Sequence, residues 1–136
     1  MNIRKFISAV AITFSAVACS TSSNVDLSGE WSVVSISGQD VPETMQEPVL
    51  SFDTANKTYS GVTGVNTING SYTLENENIS FSDGPMTKMA ADPTSMEIEV
   101  GYIKAITAAK TIVSSSDNTL TLKDEEGNEL MTLKKK

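Results

Sequence analysis

Residues 69–81 have the sequence NGSYTLENENISF, which joins two turn signals to two short runs of alternating polarity. Asn69-Gly70 is the strongest hairpin signal in the chain, because a tight β-turn needs positive φ angles that Asn and Gly tolerate. Tyr72 and Leu74 then share one face of a predicted strand, and Asn76-Glu77 turns the chain into another. The stretch predicts an antiparallel β-meander.

The same period of two extends outward from this meander in both directions. Gly29–Ile36 is rich in the β-branched and aromatic residues that strands favour, while Tyr59 to Val65 mixes glycine and serine with apolar residues and predicts a bent strand. Glu126-Gly127-Asn128 predicts the turn of a final hairpin. The pattern predicts about eight short antiparallel strands, among them 29–36, 49–53, 59–65, 71–74, 79–81, 120–122 and 130–133.

One segment has a different signature and predicts a helix over 93–108. Asp92 can cap it with Pro93 at its first position, and Thr94 with Glu97 offers an alternative capping box. Its apolar stripe, expected to pack on the sheet, consists of Met96, Val100, Ile103 and Thr107 with Ile106 beside them. The residues expected to face water are Glu97, Glu99 and Lys104.

Many short strands with one amphipathic helix indicate a mainly β fold of the β-rich α+β kind. We expect a small antiparallel β-barrel or a strongly curled sheet of about eight strands, with the helix closing one end. Closure of the sheet would also remove its exposed edges. Residues 26–136 supply this single domain.

The first eighteen residues have the features of a secretory signal. Arg4 and Lys5 precede an apolar run from Phe6 to Val17, which is too short to span a bilayer. Cleavage is predicted after Ala18, so that Cys19, the single cysteine, becomes a lipid-bearing N-terminus. Ala16-Val17-Ala18 also suits ordinary signal peptidase, which would leave a soluble secreted protein. Residues 19–25 are the predicted tether of a lipid-anchored protein of the bacterial cell envelope.

Composition argues against several functions. The formal charge is −7, and without residues 1–18 it is −9, from eight basic and seventeen acidic residues, which disfavours nucleic acid as a partner. The chain has no histidine, so it lacks the usual zinc ligand and the usual base near neutral pH. We therefore expect no cofactor, no metal and no enzymatic activity.

Several motifs admit two interpretations. Lys88 beside Thr87 is the one place for a lysine-activated hydroxyl, but a solvated loop is the expected state. The carboxylates at 124–129 suggest calcium or an acidic hairpin turn, and the spacing favours the turn. Asn66 and Asn69 suit either a ligand or turns, and turns are expected.

Two further groups are expected to be structural or solvated. Met86, Met89 and Met96 could line an adaptable apolar groove, but core filling is the expected role. The lysines at 134–136 could contact anionic lipid headgroups, but a soluble tail is the expected state.

Taken in order, these segments resemble the META domain family. The resemblance covers nearly the whole chain after the signal and rests on Leu27–Trp31, Pro48–Asp53, Gly64-Val65-Asn66 with Asn69–Tyr72, and Thr87–Ala91. The positions that match its motifs most directly are Gly64, Asn66, Gly70, Tyr72, Thr87 and Met89.

Many family members have cysteine where this chain has Val65 and Ala91. The joint loss of both cysteines implies, through the resemblance, that these two positions lie close together in space.

The resemblance implies a lipocalin-like barrel, an envelope location and no assigned catalytic activity. We therefore expect a non-enzymatic envelope lipoprotein that acts as a protein-interaction module in stress tolerance or secretion. One alternative is a carrier of a small apolar ligand inside the barrel. A second is an inhibitor of an envelope hydrolase that presents the loop Gly84-Pro85-Met86-Thr87. Ser20, where an inner-membrane signal usually has Asp, favours the outer membrane.

Overall fold

A computed structural model of the protein describes residues 25–43, 45–115 and 117–136. The predicted signal, the cleavage site and Cys19 lie outside these ranges. Within them the chain forms nine strands and one helix, in the following order. The elements are β1 (Gly29–Ile36), β2 (Gln39–Asp40), β3 (Val49–Asp53), β4 (Thr58–Val62), β5 (Thr67–Glu75), β6 (Asn78–Phe81), α1 (Pro93–Ala108), β7 (Thr111–Ser115), β8 (Thr119–Lys123) and β9 (Glu129–Lys135).

Eight of these strands form a closed antiparallel barrel, as predicted. Each pairs with the next along the chain, and β1 closes the circle by pairing with both β3 and β9. Trp31 lies opposite Leu50 on one side, and Val33 lies opposite Leu133 on the other. The short strand β2 pairs only with β1 and stands outside the circle.

The shortest strand pairing in the barrel is between β6 and β7, which are separated in the chain by α1. Only Asn78 and Thr111 are paired there. Two backbone bonds flank the pair, from Ile79 N to the Lys110 carbonyl at 3.0 Å and from Ile112 N to the Glu77 carbonyl at 2.8 Å. With so few backbone hydrogen bonds, the contact between β6 and β7 depends mainly on side-chain packing.

Side chains fill the interior of the barrel. Tyr72 packs edge-on against Phe52 with ring centroids 5.3 Å apart, and Tyr59 packs edge-on against Phe81 at 5.1 Å. Edge-on aromatic pairs of this kind stabilise a core beyond the area they bury. The fully buried aliphatic side chains around them include Leu50, Ile112, Leu120, Leu122, Met131 and Leu133.

The helix begins and ends where the sequence indicates. Asp92 caps it by accepting a hydrogen bond from Ser95 N at 3.0 Å, and Pro93 occupies the first turn, where no backbone N–H is needed. The alternative capping box at Thr94 is not the one used.

The predicted inner face of the helix is wrong except at Ile106, which is buried as expected. The residues that α1 buries are Ser95, Glu99, Tyr102, Ala105 and Ile106, whereas Val100 is 57% exposed. Tyr102 determines this orientation, because its hydroxyl reaches across the barrel to the Val49 carbonyl at 2.8 Å. A Cβ at Gly61 would collide with that hydroxyl, so glycine is what admits it.

The hairpin predicted at Asn69-Gly70 is also wrong, since β5 runs straight through both residues. A Cβ at Gly70 would lie 2.7 Å from Cε1 of Tyr59, so this glycine serves close packing instead of a turn. The chain reverses earlier, where Thr63 N donates to the Asn66 carbonyl at 2.8 Å and ends the predicted bent strand at Val62.

The two ends of the barrel differ. The chain joins it at the N-terminal end, where Gly29 begins β1 and where Lys136 N donates to the Glu30 carbonyl at 3.1 Å. At the other end of β1, a Cβ on Gly101 of α1 would lie 2.8 Å from Cγ2 of Ile36. We call this second end, which α1 covers, the helix end.

Candidate functional site

A buried polar cluster joins the helix end of the barrel to α1. Glu99, Thr63 and Asn66 are all buried, and Oε2 of Glu99 accepts hydrogen bonds from Thr63 Oγ1 at 2.8 Å and Asn66 Nδ2 at 2.7 Å. Glu99 was expected to face water, and its burial follows from the rotation of the helix that places Tyr102 in the core. The carboxylate thus ties the β4–β5 turn to the helix.

Asn66 is the centre of this cluster. Its Oδ1 accepts from Met89 N at 2.6 Å and from Thr87 Oγ1 at 3.0 Å, and its Nδ2 donates to the Met89 carbonyl at 3.1 Å. The side-chain amide therefore pairs with Met89 as a neighbouring strand would. Asn66 lies in the β4–β5 turn, as expected, although its φ is outside the left-handed region.

We call Thr63, Asn66, Thr87 and Glu99 the polar latch. Two of its members, Asn66 and Thr87, are family-motif positions, and Asn66 bonds to a third, Met89. Thr87 Oγ1 also accepts from Thr67 N at 3.0 Å. A buried polar group that loses its partner costs about 1–3 kcal/mol, so the cluster holds its members firmly. No described buried side-chain nitrogen or oxygen lacks a partner.

The latch fixes the backbone of an exposed segment. Residues 88–91 are all exposed, and Met89 is 61% exposed although its backbone N–H and carbonyl both bond to Asn66. Such a segment keeps its shape without packing its side chains. We call residues 88–91 the Met89 segment.

The remaining motif positions have structural roles. Gly64 has φ +96°, a left-handed conformation that favours glycine, and it lies against Met45 and the Gln46 carbonyl. Gly70 lets the Tyr59 ring approach β5, and Tyr72 is in the core. These motifs therefore shape the barrel, and none of them points to a reaction.

The geometry gives no support to a lysine-activated hydroxyl. The described partners of Thr87 Oγ1 are the Asn66 side-chain carbonyl and the Thr67 amide, and neither is a base. Lys88 is exposed to solvent.

The acidic segment forms a hairpin turn, as expected. Asp124 Oδ1 accepts from Glu126 N and Asn128 N, each at 2.9 Å. Hydrogen bonds from Asn128 hold the pKa of Asp124 below its usual range, and the bond from the Asn128 backbone has a larger effect than the bond from its side chain. Among the described residues, no group of three or more acidic or cysteine side chains is placed to hold a metal ion.

The methionines and the terminal lysines differ in part from expectation. Met86 packs against the core, but Met89 does not. The terminal lysines are not a free tail, because Lys135 belongs to β9 with its Nζ 5.8 Å from the Trp31 ring centroid. Lys136 pairs with Glu30 and Glu47, each at 3.4 Å.

The proximity of Val65 and Ala91 stays a prediction. Its nearest support is that Asn66, next to Val65, bonds to Met89, which lies two residues before Ala91.

Two adjoining grooves flank the β1–β2 hairpin at the helix end. One, of about 540 Å³, lies between β1 and the segment after β2. The other, of about 320 Å³, lies between the hairpin and α1. Asp40 and Pro42 line both grooves, so the two form one continuous surface, which we call the hairpin–helix groove.

The family model of the META domain matches residues 24–136. The chain belongs to the META domain family. A comparison with curated proteins finds no match. Within the described ranges, the META domain contains no helix with the length and apolar character needed to cross a bilayer.

Solved structures share the fold of this META domain at low identity. A protein from Burkholderia xenovorans solved by NMR is 24% identical with a TM-score of 0.61, over 81% of this chain and 83% of its own. A DUF4847 family protein from Bacteroides vulgatus, solved by crystallography, is 15% identical with a TM-score of 0.60, over 82% and 95%. A further NMR structure is 19% identical with a TM-score of 0.59, over 79% and 89%. These likenesses show the fold alone.

Proposed function

We propose that this META domain protein is a non-enzymatic lipoprotein of the bacterial outer membrane and that its barrel is a protein-interaction module. The observation that carries the proposal is the position of the exposed apolar side chains. Among the described residues, the large apolar side chains that are exposed are Val34, Met89 and Val100, and all three lie toward the helix end. An end of a domain that carries its exposed large apolar groups is a candidate interaction site.

The filled interior supports this function over that of a carrier. A barrel of eight strands has room either for side chains or for one small ligand. Here Trp31, Leu50, Tyr72 and Tyr102 occupy that space, each at most 3% exposed. A partner would therefore meet the outer surface.

The position of the tether would present the helix end to such a partner. The chain joins the barrel at the N-terminal end, and five residues, 20–24, separate Cys19 from Val25. The six residue-to-residue steps from Cys19 to Val25 span at most about 20 Å, which would keep the N-terminal end near the membrane. Lipid on Cys19 would then leave α1 and the Met89 segment facing away from the bilayer, where envelope proteins of stress tolerance or secretion can reach them.

The anchor is tested by the intact mass of the protein extracted from native membranes, beside a Cys19→Ala variant. We expect a chain that starts at Cys19 and carries diacylglycerol and an acyl chain, and a variant released to the soluble fraction. An unmodified mature chain in the soluble fraction would contradict the anchor.

The interaction is tested by photo-crosslinking in cells from a benzoylphenylalanine at position 89 or 100. The matched control places the same group at Lys57, an exposed turn residue at the N-terminal end. We expect a discrete protein adduct from the two helix-end positions alone. Equal labelling from Lys57, or no adduct at any position, would refute a helix-end partner.

A further inference from the structure

The hairpin–helix groove has an apolar floor. Val34 and Ile98 lie in it with Pro42, and Val100, 57% exposed, forms part of its α1 wall. Two of the three exposed large apolar side chains in the described ranges thus line one surface, and the third, Met89, lies on the segment before the helix. When a partner covers apolar groups that are exposed to water at a concave site, the free energy of the system falls.

The rim of the groove is acidic. Four carboxylates surround the apolar floor, and one lysine, Lys104, accompanies them. Of the four, Glu47 is paired with Lys136 at 3.4 Å, so the other three carboxylates and Lys104 give this lining a net formal charge of −2. The rim carboxylates are Asp40, Glu43, Glu47 and Glu97.

Two contacts hold the walls of the groove in place. Val41 N donates to the Val34 carbonyl at 3.0 Å, which holds the segment after β2 against β1. On the other side, Gly101 lets α1 approach Ile36 closely. A surface that keeps its shape loses less entropy when a partner binds.

We propose that the hairpin–helix groove binds a segment of a partner protein that presents apolar side chains flanked by lysine or arginine. This inference rests on the proposed interaction function and names the chemistry of the partner. The apolar side chains would cover Val34 and Val100, and the cations would meet Asp40, Glu43 and Glu97. Complementary charge of this kind speeds association and excludes partners of the wrong sign.

The same charges argue against two other occupants. Anionic lipid headgroups would be repelled by the acidic rim. A second copy would bring its own net charge of −9 without the signal, so the association of two copies is opposed by their mutual repulsion.

The test uses the full lipoprotein in nanodiscs of neutral phosphatidylcholine, with empty nanodiscs as the blank. The probe is a short fluorescent amphipathic peptide of leucine and lysine, measured by anisotropy beside its leucine and glutamate counterpart. We expect the lysine peptide to bind at least about tenfold more tightly, a difference of about 1.4 kcal/mol. Equal binding of the two peptides would overturn the proposed partner chemistry.

Two double variants locate the binding. Val34→Ser with Val100→Ser, and Asp40→Asn with Glu97→Gln, should each raise the Kd by about tenfold. The matched control is Glu125→Gln with Glu126→Gln, which removes two exposed charges of the β8–β9 turn and should change the Kd less than about twofold. Thermal melts confirm that each variant is folded.

A similar loss of affinity in the control would show that the lysine peptide is attracted to any acidic surface of the protein. That result would overturn the groove as the binding site. Retained binding in the Val34→Ser and Val100→Ser variant would do so as well. Sedimentation that reveals dimers lost in that variant would assign the surface to a second copy and refute the proposal. A cellular adduct at position 100 without peptide binding refutes this partner chemistry alone, whereas a soluble, unlipidated protein that still binds the peptide refutes only the anchor.

Discussion

Replacement of Asn66 by alanine tests whether the polar latch holds the Met89 segment. The change removes two accepted and two donated hydrogen bonds and leaves Glu99 Oε2 with Thr63 as its described partner. The Met89 backbone can bond to water instead, but the buried carboxylate cannot do so easily, and one lost partner costs about 1–3 kcal/mol. With the small void left by the amide, we expect a loss of about 3 kcal/mol in the free energy of unfolding.

Urea denaturation measures this loss, with a midpoint that falls by about 1.5 M for an m-value near 2 kcal/mol/M. Hydrogen exchange of the Met89 amide should lose protection at the same time, because its acceptor is Asn66 Oδ1. Asn69→Ala is the matched control, since Asn69 is exposed on β5 and its substitution should change stability by about 0.5 kcal/mol or less. A loss below about 1 kcal/mol, or an amide that stays protected, would refute the latch.

Four further outcomes can be measured. Tyr102→Phe removes the bond to the β3 carbonyl and should cost about 1 kcal/mol in urea denaturation, with an unchanged helix signal. Burial raises the pKa of Tyr102, so stability should be complete below about pH 10 and fall as pH rises, with phenolate absorbance that appears only on unfolding. Hydrogen bonds from Ser95, led by its hydroxyl, hold the pKa of Asp92 below its usual range; the stability difference between the protein and Asp92→Ala should therefore vanish as pH falls below about 4. Val65→Cys with Ala91→Cys should form a disulfide worth about 3 kcal/mol, and failure to oxidise would refute their proximity.

Local pattern was enough to predict most elements of the barrel. The predicted strands at 29–36 and 49–53 and the helix at 93–108 match the structure at both ends. Period two and a helix cap are properties of a few neighbouring residues, which is why they can be seen in one sequence. β7 was not among the named strands, because Thr111–Ser115 is short and its polar half hides the alternation.

The errors arose where distant residues override a local signal. Asn69-Gly70 is a turn signal only in isolation, and the Tyr59 ring makes use of the same glycine for packing. The face of α1 was misjudged because the one large side chain that enters the barrel, Tyr102, lies outside the predicted apolar stripe. The polar latch joins residues 21 to 36 positions apart, and no periodicity connects them. The family motifs marked Asn66, Thr87 and Met89 but gave no sign of Glu99.

The latch fixes the backbone of the Met89 segment without fixing which side chains that segment exposes. Asn66 contacts Met89 through main-chain atoms, so the backbone course of the Met89 segment does not depend on which side chains it carries. Side chains at 88–91 can therefore differ without loosening the latch, and the same holds for Val100 on the outer face of α1, which is 57% exposed. It follows that the motif residues identify the barrel, whereas under the proposed function the choice of partner would lie with the exposed residues around them. Substitutions at Asn66 should act through stability, and substitutions at Val100 should act through binding.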